Sequence, residues 1–459
     1  MGVSSTVAYW FLTKPTTIYH ITFCSLAVCG SAANGQTPPP APAAINYSPA
    51  SEVNRALPKW LIFGGEYRAR FEGYAGGAFK PDSTDAYWLS RVRLNLTIQP
   101  LSWLKIYAEG QDARAIFKQP GQPPYENTWD IRQGFAELGS SDKGLFALRV
   151  GRQEINFGDQ RLVGSSNWTN TARTFDAIRL ISNFALPHAA VRLDLFASAV
   201  VNVVNDTWDH HQDGNVFHGA HAEVTKLIPG ASVEPYVYWK LQPNLKNEAG
   251  LVARLDEKAF GVRWVGKLPA AFDYQLEMVR EVGSLGTDKV RAWAGHWVVG
   301  RTFDSARVRP RVWAEFNYAT GDANPKDGIR GTFDHLYPTS HDKYGLGDQV
   351  GWKNLRDLRG GVETRPHKNL TASLEYNDWH LASAFDALYN TSGTALARSA
   401  AGTAGTHIGQ ELDLVGNWTV SKPFQIGAGV GHIFPGQFLK KTTPGNGYTF
   451  PYVMFQYRF

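Results

Sequence analysis

The chain has 459 residues, of which 43% are hydrophobic and 13% aromatic, and its formal net charge is +5. This small positive excess is not typical of a nucleic-acid-binding protein, which is strongly basic. The two cysteines, Cys24 and Cys29, lie near the N-terminus, so the rest of the chain has neither a disulfide framework nor a zinc finger. The 15 Trp, 19 Tyr, 25 Phe and 45 Gly are typical of a membrane β-barrel, in which aromatic residues mark both bilayer interfaces.

The N-terminal segment has the features of an export signal. Lys14 precedes an apolar stretch over residues 18–29, and the small residues 30–33 follow that stretch. A positive charge, a short apolar run and small residues in this order are typical of a secretory signal. We therefore expect residues 1–33 to be a signal peptide that is cleaved after Ala33.

The remaining domain boundaries follow from composition. A lipoprotein processed at Cys29 is an alternative to the simple signal, but Val28 is bulky where a small residue is usual. Residues 34–58 are rich in Pro and Ala, a composition that favours an extended periplasmic spacer. No later stretch offers 18 consecutive apolar residues, so no membrane helix is predicted. Residues 59–459 are expected to form one domain.

From residue 61 onward the sequence alternates between polar and apolar residues, which is the period of a β-strand. In residues 90–98, for example, Arg91 and Arg93 share one face while Val92 and Leu94 share the other. The same alternation occurs in residues 66–72, 191–199, 233–240, 272–281 and 308–318. A soluble sandwich or propeller is the alternative, but several charges per strand suit a water-filled interior better. Because only a closed barrel satisfies every backbone group of a sheet in hydrocarbon, we predict an all-β, transmembrane antiparallel β-barrel.

The length of the domain predicts the number of strands. Roughly 400 residues at about 22 per strand and connection give about 18 strands, joined by long external loops and short periplasmic turns. The final segment, residues 448–459, places Phe455 and Phe459 on one face and Gln456 and Arg458 on the other. We expect the aromatic face to contact outer-membrane lipid. The terminal Phe is typical of the signal that the barrel assembly machinery recognises.

Several motifs, in order along the chain, carry a family resemblance. They are residues 151–154 (GRQE), 158–162 (GDQRL), 168–170 (WTN), 173–176 (RTFD), 321–325 (GDANP), 332–339 (TFDHLYPT), 409–413 (GQELD) and 434–436 (FPG). With these motifs the chain resembles the alginate export family of outer-membrane porins, from about residue 62 to Phe459. The resemblance implies a monomeric barrel of the predicted size. Its lumen would be lined with Arg and Lys and would pass an anionic, alginate-like polysaccharide without ATP or covalent chemistry.

Arginines on the polar faces are the candidates for contact with the solute. A guanidinium is always protonated and binds a carboxylate through paired hydrogen bonds, so a basic lumen attracts anions. Ten positions are predicted to line the lumen and bind substrate: Arg68, Arg70, Arg91, Arg93, Arg132, Arg152, Arg179, Arg192, Arg309 and Arg311. Arg149 and Arg152 have opposite parity, so at most one of them faces the lumen unless Gly151 forms a bulge. The alternative for each arginine is that it pairs with an acidic residue and braces the barrel wall.

Two polar segments are weighed as metal sites. Residues 206–221 contain several Asp and His, which are suitable ligands, but the segment is polar and turn-rich and is predicted to be a long external loop. Residues 321–328 resemble a calcium loop but lack the spacing and the terminal Glu of an EF-hand. We predict neither a metal nor another cofactor.

Other functions are weighed against export. The sequence contains no G-x-S-x-G, H-E-x-x-H or phosphate-binding glycine loop, so no catalytic residue is predicted. An uptake porin for another anionic or sugar solute stays open as an alternative, and so does an outer-membrane enzyme or adhesin whose loops act. A long connection, residues 320–357, is a candidate for a loop that folds into the lumen.

Overall fold

A computed structural model describes residues 48–119, 125–142 and 144–459. The predicted signal peptide and most of the predicted spacer lie outside these residues. In chain order the elements are α1 (Pro49–Ala56), β1 (Leu61–Ala75), β2 (Thr84–Leu101), β3 (Leu104–Ile116), β4 (Asn127–Gly139), β5 (Phe146–Gln153), β6 (Phe175–Leu186), β7 (Ala189–Asn202), β8 (His210–Thr225), β9 (Ala231–Lys246), β10 (Val252–Leu268), β11 (Phe272–Leu285), β12 (Asp288–Thr302), β13 (Arg311–Ala319), β14 (Ile329–Arg330), β15 (Leu355–His367), β16 (Leu370–Leu381), β17 (Ala387–Tyr389), β18 (Ala395–Arg398), β19 (His407–Thr419), β20 (Phe424–Pro435), α2 (Gln437–Thr442) and β21 (Tyr448–Arg458).

The long strands form one closed antiparallel barrel. The main sheet of the described residues contains 19 strands, of which β14 is a two-residue segment within a loop. The other 18 form the wall, as the sequence predicts. The small sheet of β17 and β18 lies in the connection between β16 and β19.

The wall closes where the last strand pairs with the first. Strand β21 runs antiparallel to β1, with Tyr457 opposite Tyr67. Gly65 N donates to the Phe459 carbonyl at 2.8 Å, and Phe459 N donates to the Gly65 carbonyl at 2.9 Å. A Cβ atom at Gly65 would lie 2.6 Å from both the Arg93 carbonyl oxygen and the Phe459 ring. Glycine is therefore required at this position, because the terminal aromatic ring packs against the bare backbone.

Alternation along each strand separates a lipid face from an inner face. Leu94 is 37% exposed while its neighbour Arg93 is 5% exposed, and Phe455 is 36% exposed while Gln456 is 7% exposed. The exposed apolar residues face outward and the buried polar residues face inward, as expected for a membrane barrel. The predicted faces of the closing strand are confirmed.

The two rims of the barrel differ in the length of their connections. The rim that carries the start of β1 and the C-terminus has short turns, such as residues 187–188 and 368–369. The opposite rim carries long connections, such as residues 154–174 and 320–354. Barrels of this class keep short turns in the periplasm and long loops outside, so we name these the periplasmic rim and the external rim.

The prediction of a long external loop over residues 206–221 is wrong. The loop ends at Asp209, and strand β8 begins at His210. His211 pairs with Val201 of β7, so the strands continue together beyond the apolar band. A polar strand above the membrane lacks the apolar alternation that reveals a strand in the sequence.

The described helices are short. Helix α1 lies in the segment predicted as a spacer, and Asn54 joins it to the first strand by accepting from Phe63 N at 2.7 Å and donating to the Phe63 carbonyl at 2.8 Å. Helix α2 packs its buried Phe438 and Leu439 at the external rim. No helix of the described residues, including the 3-10 helix Gly77–Phe79, has the length and apolar character needed to cross a bilayer.

Candidate solute path through the lumen

Two external connections fold inward and meet inside the barrel. We call residues 154–174 the first inner loop and residues 320–354 the second inner loop. They pair through Val163 and Tyr337, and Gly164 N donates to the Tyr337 carbonyl at 2.8 Å. The second inner loop also contacts inner-face residues of the wall, since Gly347 N donates to Glu411 of β19 at 2.7 Å. The structure therefore places most of the candidate segment 320–357 inside the lumen.

Four of the predicted arginines lie together under the first inner loop. Arg68 and Arg70 of β1 neighbour Arg91 and Arg93 of β2, with Arg68 directly opposite Arg91. We call these four residues the arginine quartet. All four side chains are buried and lie on the inner face of the wall, and their contact with a solute stays a prediction.

Three residues of the quartet bind the backbone of the first inner loop, while Arg93 donates to the side-chain oxygens of Gln111 and Asn167 at 2.7 and 2.9 Å. Arg68 donates to the carbonyls of residues 167, 168 and 169 at 2.8–3.1 Å. Arg70 donates to the Trp168 carbonyl at 2.6 Å, and Arg91 donates to the carbonyls of residues 167 and 169 at 3.0 and 3.3 Å. Neutral carbonyl oxygens thus occupy positions where an anion could accept hydrogen bonds from the guanidinium groups.

Only part of the charge of the quartet is neutralised. Arg91 pairs with Glu66 at 2.5 Å, and Arg70 pairs with Glu72. Arg68 and Arg93 have no ion-pair partner within the described residues. The Nε atom of Arg68 and one terminal nitrogen of Arg93 are buried without a hydrogen-bond acceptor in that same part of the chain. The quartet is therefore an electropositive site with free donors.

Trp168 fills the centre of this site. The Arg70 guanidinium lies 3.8 Å from the Trp168 ring, and the His341 ring of the second inner loop stacks on the same indole at 3.7 Å. This side chain of the first inner loop thus connects the arginine quartet to the second inner loop.

Other predicted arginines are paired with acidic residues of the wall. Arg132 bridges Glu109 at 2.6 Å and also pairs with Glu154. Arg179 and Arg192 share Asp194 at 2.7 and 3.0 Å. Near the periplasmic rim Arg311 pairs with Asp273 at 2.5 Å. These arginines are on inner faces, but they resemble braces more than open anion sites.

The predicted lumen position of Arg152 is wrong. Arg149 faces inward and pairs with Glu137 at 2.5 Å, while Arg152 lies opposite Asp176 on the outer face. Arg152 bonds Asp176 at 2.8 Å. The wall keeps a continuous register through Gly151, which has φ +126°, so the opposite parity of the two arginines persists.

The predicted lumen position of Arg309 is also wrong. Strand β13 begins at Arg311, and Arg309 lies in the preceding turn with φ +43°. There it pairs with exposed Asp304 at 2.5 Å. Pro310 lacks the N–H that a strand interior needs. The strand therefore does not extend back through Pro310 to Arg309.

Sequence analysis missed the cations that the inner loops carry. Arg161 bridges Asp159 and Glu315, both at 2.9 Å, and Lys343 reaches Asp159 at 3.1 Å. Burial raises the pKa of Asp159, but the nearby Arg161 and Lys343 lower it more, to well below the usual range. The resemblance motif at residues 158–162 contains two of these residues, yet nothing in the sequence indicated that they enter the lumen.

A cavity opens at the periplasmic end of the lumen. It has a volume of about 620 Å³, and its lining includes Lys226, Lys267 and Arg311 together with Asp273 and Gln275. Three cations against one carboxylate give this mouth a positive balance. A solute that arrives from the periplasm would meet it first.

Histidine and carboxylate groups come together at one point of the external rim. The ligand atoms of Asp378, His380 and His407 lie within 4.8 Å of one another. Among the described residues of segment 206–221, no such group of three forms. The sequence did not predict the trio, because His407 is far from the other two along the chain.

A comparison with family models identifies the family of this barrel. A family model for alginate export matches residues 59–452. The chain belongs to the alginate export family. This member is an outer-membrane β-barrel channel, in a family of channels rather than enzymes, which confirms the predicted family and location. The comparison with curated proteins yields no match.

Solved structures share the fold of this alginate export family channel. The outer membrane protein OpdK from Pseudomonas aeruginosa has a TM-score of 0.59 at 11% identity, over 87% of this chain and 98% of that chain. OccK8 (OprE) from the same organism has a TM-score of 0.57 at 11% identity, over 87% and 98%. OccAB4 from Acinetobacter baumannii has a TM-score of 0.55 at 11% identity, over 86% and 98%. The crystal structure of OpdK has also been determined with vanillate.

Proposed function

We propose that this channel passes an anionic, alginate-like polysaccharide out of the periplasm by passive diffusion, and that it acts as a monomer. The observation that carries the proposal is the arginine quartet, in which four guanidinium groups face two carboxylates and a set of backbone carbonyls. A carboxylate on each sugar unit is the matching ligand, because guanidinium binds carboxylate more strongly than it binds a neutral carbonyl.

The first inner loop offers hydrogen-bond acceptors that a solute carboxylate could replace. The carbonyls of residues 167–169 accept hydrogen bonds from Arg68, Arg70 and Arg91. A uronate carboxylate that enters from the periplasmic mouth would replace a carbonyl and free that segment of the loop. Passage needs repeated sites of moderate strength, and Lys226 and Lys267 at the mouth would provide the first of them.

Planar-bilayer recording of the purified full-length chain tests this function. We expect anion-selective conductance that short oligouronates interrupt from the periplasmic side, while neutral oligosaccharides of equal length have no effect. Arg309→Gln removes one charge outside the lumen and serves as the control, so it should leave the block unchanged. A cation-selective pore, or equal block by charged and neutral oligosaccharides, would contradict the proposal.

Uptake of a small anionic solute is the second candidate. It is favoured by the fold shared with OpdK, which has been solved with vanillate. Vanillate and an oligouronate can be compared in the same bilayer experiment. Permeation of vanillate without any block by oligouronates would favour uptake, whereas block by oligouronates alone would favour export.

A further inference from the structure

A group of basic residues lies on the outer face of the barrel near the external rim. It consists of Arg254 and Lys258 of β10, Arg280 of β11, and Lys289 and Arg291 of β12. We call these five residues the outer basic patch. Arg254, Arg280, Lys289 and Arg291 are exposed, and Lys258 is half-buried. Their strand positions have the parity of the lipid face, opposite to that of the inner residues of the same strands.

The strand register gathers the patch into successive rows across three strands. Lys258 and Arg291 flank Val282 in one row. One row toward the external rim, Lys289 lies opposite Ser284, and one row toward the membrane centre, Arg280 lies opposite Phe260. Neighbouring strands are about 4.8 Å apart, so long basic side chains from these rows can reach a common ligand.

Four of the five cations of the patch have no ion-pair or side-chain hydrogen-bond partner in the part of the chain that the structure describes. Lys258 bonds Asp256 at 2.7 Å and lies 5.1 Å from the Trp239 ring. For Arg254, Arg280, Lys289 and Arg291, the structure shows no ion pair and no side-chain hydrogen bond within residues 48–119, 125–142 and 144–459. Five cations and one carboxylate leave an excess of four positive charges on one surface.

Other outward arginines toward the external end of the barrel are occupied. Arg114 pairs with Asp112 at 2.7 Å, and Arg152 pairs with Asp176. Arg356 donates to the Leu381 carbonyl at 3.0 Å. The concentration of unoccupied cations thus distinguishes β10–β12 from these other positions on the described wall.

The patch lies at the edge of the apolar band. Toward the membrane centre the same strands expose Phe260 at 50%, Val262 at 36% and Met278 at 46%. Side chains in such positions contact lipid chains, so the basic residues just above them lie at the depth of lipid headgroups. Charge here has no role in the solute path, because the wall separates the patch from the lumen.

We propose that the outer basic patch binds the phosphate groups of a phosphorylated glycolipid in the outer leaflet. Guanidinium groups match phosphate through paired hydrogen bonds, and lysine supplies a further point charge. Clusters of basic residues next to a membrane surface bind anionic headgroups. Acyl chains of the same lipid would lie against Phe260, Val262 and Met278, so one ligand satisfies both the charged and the apolar part of this surface.

The test compares the full-length chain with a triple variant, Arg280→Gln, Lys289→Gln and Arg291→Gln. The probe is bisphosphorylated lipid A, titrated into the purified protein in vesicles of phosphatidylcholine. We expect the triple variant to bind about a hundredfold more weakly, from the contribution of each basic residue at an anionic surface. Dephosphorylated lipid A should bind both proteins equally and weakly.

A matched control removes the same charge from the periplasmic rim. Arg307→Gln, Lys368→Gln and Lys422→Gln lie in exposed turns and should leave lipid A binding unchanged. Conductance in planar bilayers verifies that each variant is a folded channel. Equal loss in both triple variants would show a nonspecific charge effect and overturn the proposal, as would unchanged binding by the patch variant. Strong binding of the dephosphorylated lipid would assign the surface to acyl chains instead.

Discussion

A buried guanidinium needs acceptors, and the nature of its acceptors decides how readily a solute can replace them. Arg179 is held by the carboxylate of Asp194, whereas Arg68 is held by three backbone carbonyls. A solute carboxylate gains little over another carboxylate, but it binds a guanidinium more strongly than a neutral carbonyl does, because both partners are then charged. Arginines with the same strand parity therefore differ in their availability to an anion, and Arg68 and Arg93 are the most available of the quartet.

Replacing Trp168 by Ala should loosen the first inner loop. The change removes the contact with Arg70 and the stack on His341, which together are worth roughly 1–2 kcal/mol. We expect larger or more frequent open states in single-channel recordings. Trp88→Ala, which removes an exposed tryptophan from the lipid face, is the control and should leave channel opening unchanged. Identical gating of wild type and Trp168→Ala would show that this contact does not hold the loop.

Replacing Asp322 by Asn should stabilise the external rim at neutral pH. Burial and nearby Asp386 raise the pKa of Asp322, and burial and Asp322 raise that of Glu248. Burial favours the protonated form of both acids in the folded state. The hydrogen bond between Asp322 and Glu248 is therefore stable below the usual carboxyl pKa and weakens as pH rises through the raised pKa values. The Asn side chain keeps the acceptor for Asn324 N without the charge.

Thermal unfolding of the two proteins at different pH measures this effect. The Asn variant should have a higher Tm by the order of 1 °C at pH 7.5, and the difference should vanish near pH 4. A variant with a lower Tm at both pH values would show that the carboxylate of Asp322 is needed by the rim.

At the scale of elements, alternation in the sequence predicts the strands that cross the membrane. Lipid on one side and polar contacts on the other impose that alternation, so the faces of residues 90–98 and 448–459 were predictable. Prediction failed where this constraint ends. Strand β8 extends beyond the apolar band, and Pro310 interrupts the approach to β13. The sequence therefore gives no sign of a strand at His210 and a false one at Arg309.

The position of the inner loops in the lumen could not be predicted from the local alternation of polar and apolar residues. Arg68 contacts Asn167, which is 99 residues away in the chain, and Arg161 contacts Glu315, 154 residues away. No periodicity connects such positions. Sequence parity therefore located the arginine quartet but not the loop backbone that occupies it, and the choice between Arg149 and Arg152 required the register around Gly151.

Replacing Gly65 by Ala should weaken the closure of the barrel. The added methyl group would meet the Arg93 carbonyl and the Phe459 ring at 2.6 Å, and such overpacking costs about 1–3 kcal/mol. We expect a lower urea midpoint for unfolding from lipid vesicles. Gly416→Ala is the matched control, since nothing lies within 4 Å of its added carbon. Equal midpoints for the two variants would show that the seam tolerates the methyl group.

At the scale of the whole molecule, the inner wall divides charge between two sides. The quartet lies on β1 and β2 and Arg132 on β4, while the buried acids Glu257 and Glu281 lie across the barrel on β10 and β11. The inner loops contribute cations to the acidic side, as Arg161 does at Glu315. We expect a polyanion to bind next to β1 and β2, because Arg68 and Arg93, the two members of the quartet without an ion pair in the described residues, lie on these strands.

This asymmetry predicts how selectivity responds to mutation and to salt. The double variant Arg68→Gln and Arg93→Gln removes the two cations of the quartet that have no carboxylate partner, so the anion-to-cation permeability ratio should fall severalfold. Block by oligouronates should weaken in the variant and, in the wild type, weaken as salt rises from 0.1 to 1 M, because the screening length shortens from about 10 to about 3 Å. Reversal potentials in asymmetric salt measure the ratio, and Arg309→Gln is the control. An unchanged ratio in the double variant would mean that the first inner loop and Gln111 already satisfy these two cations and that the solute passes elsewhere in the lumen.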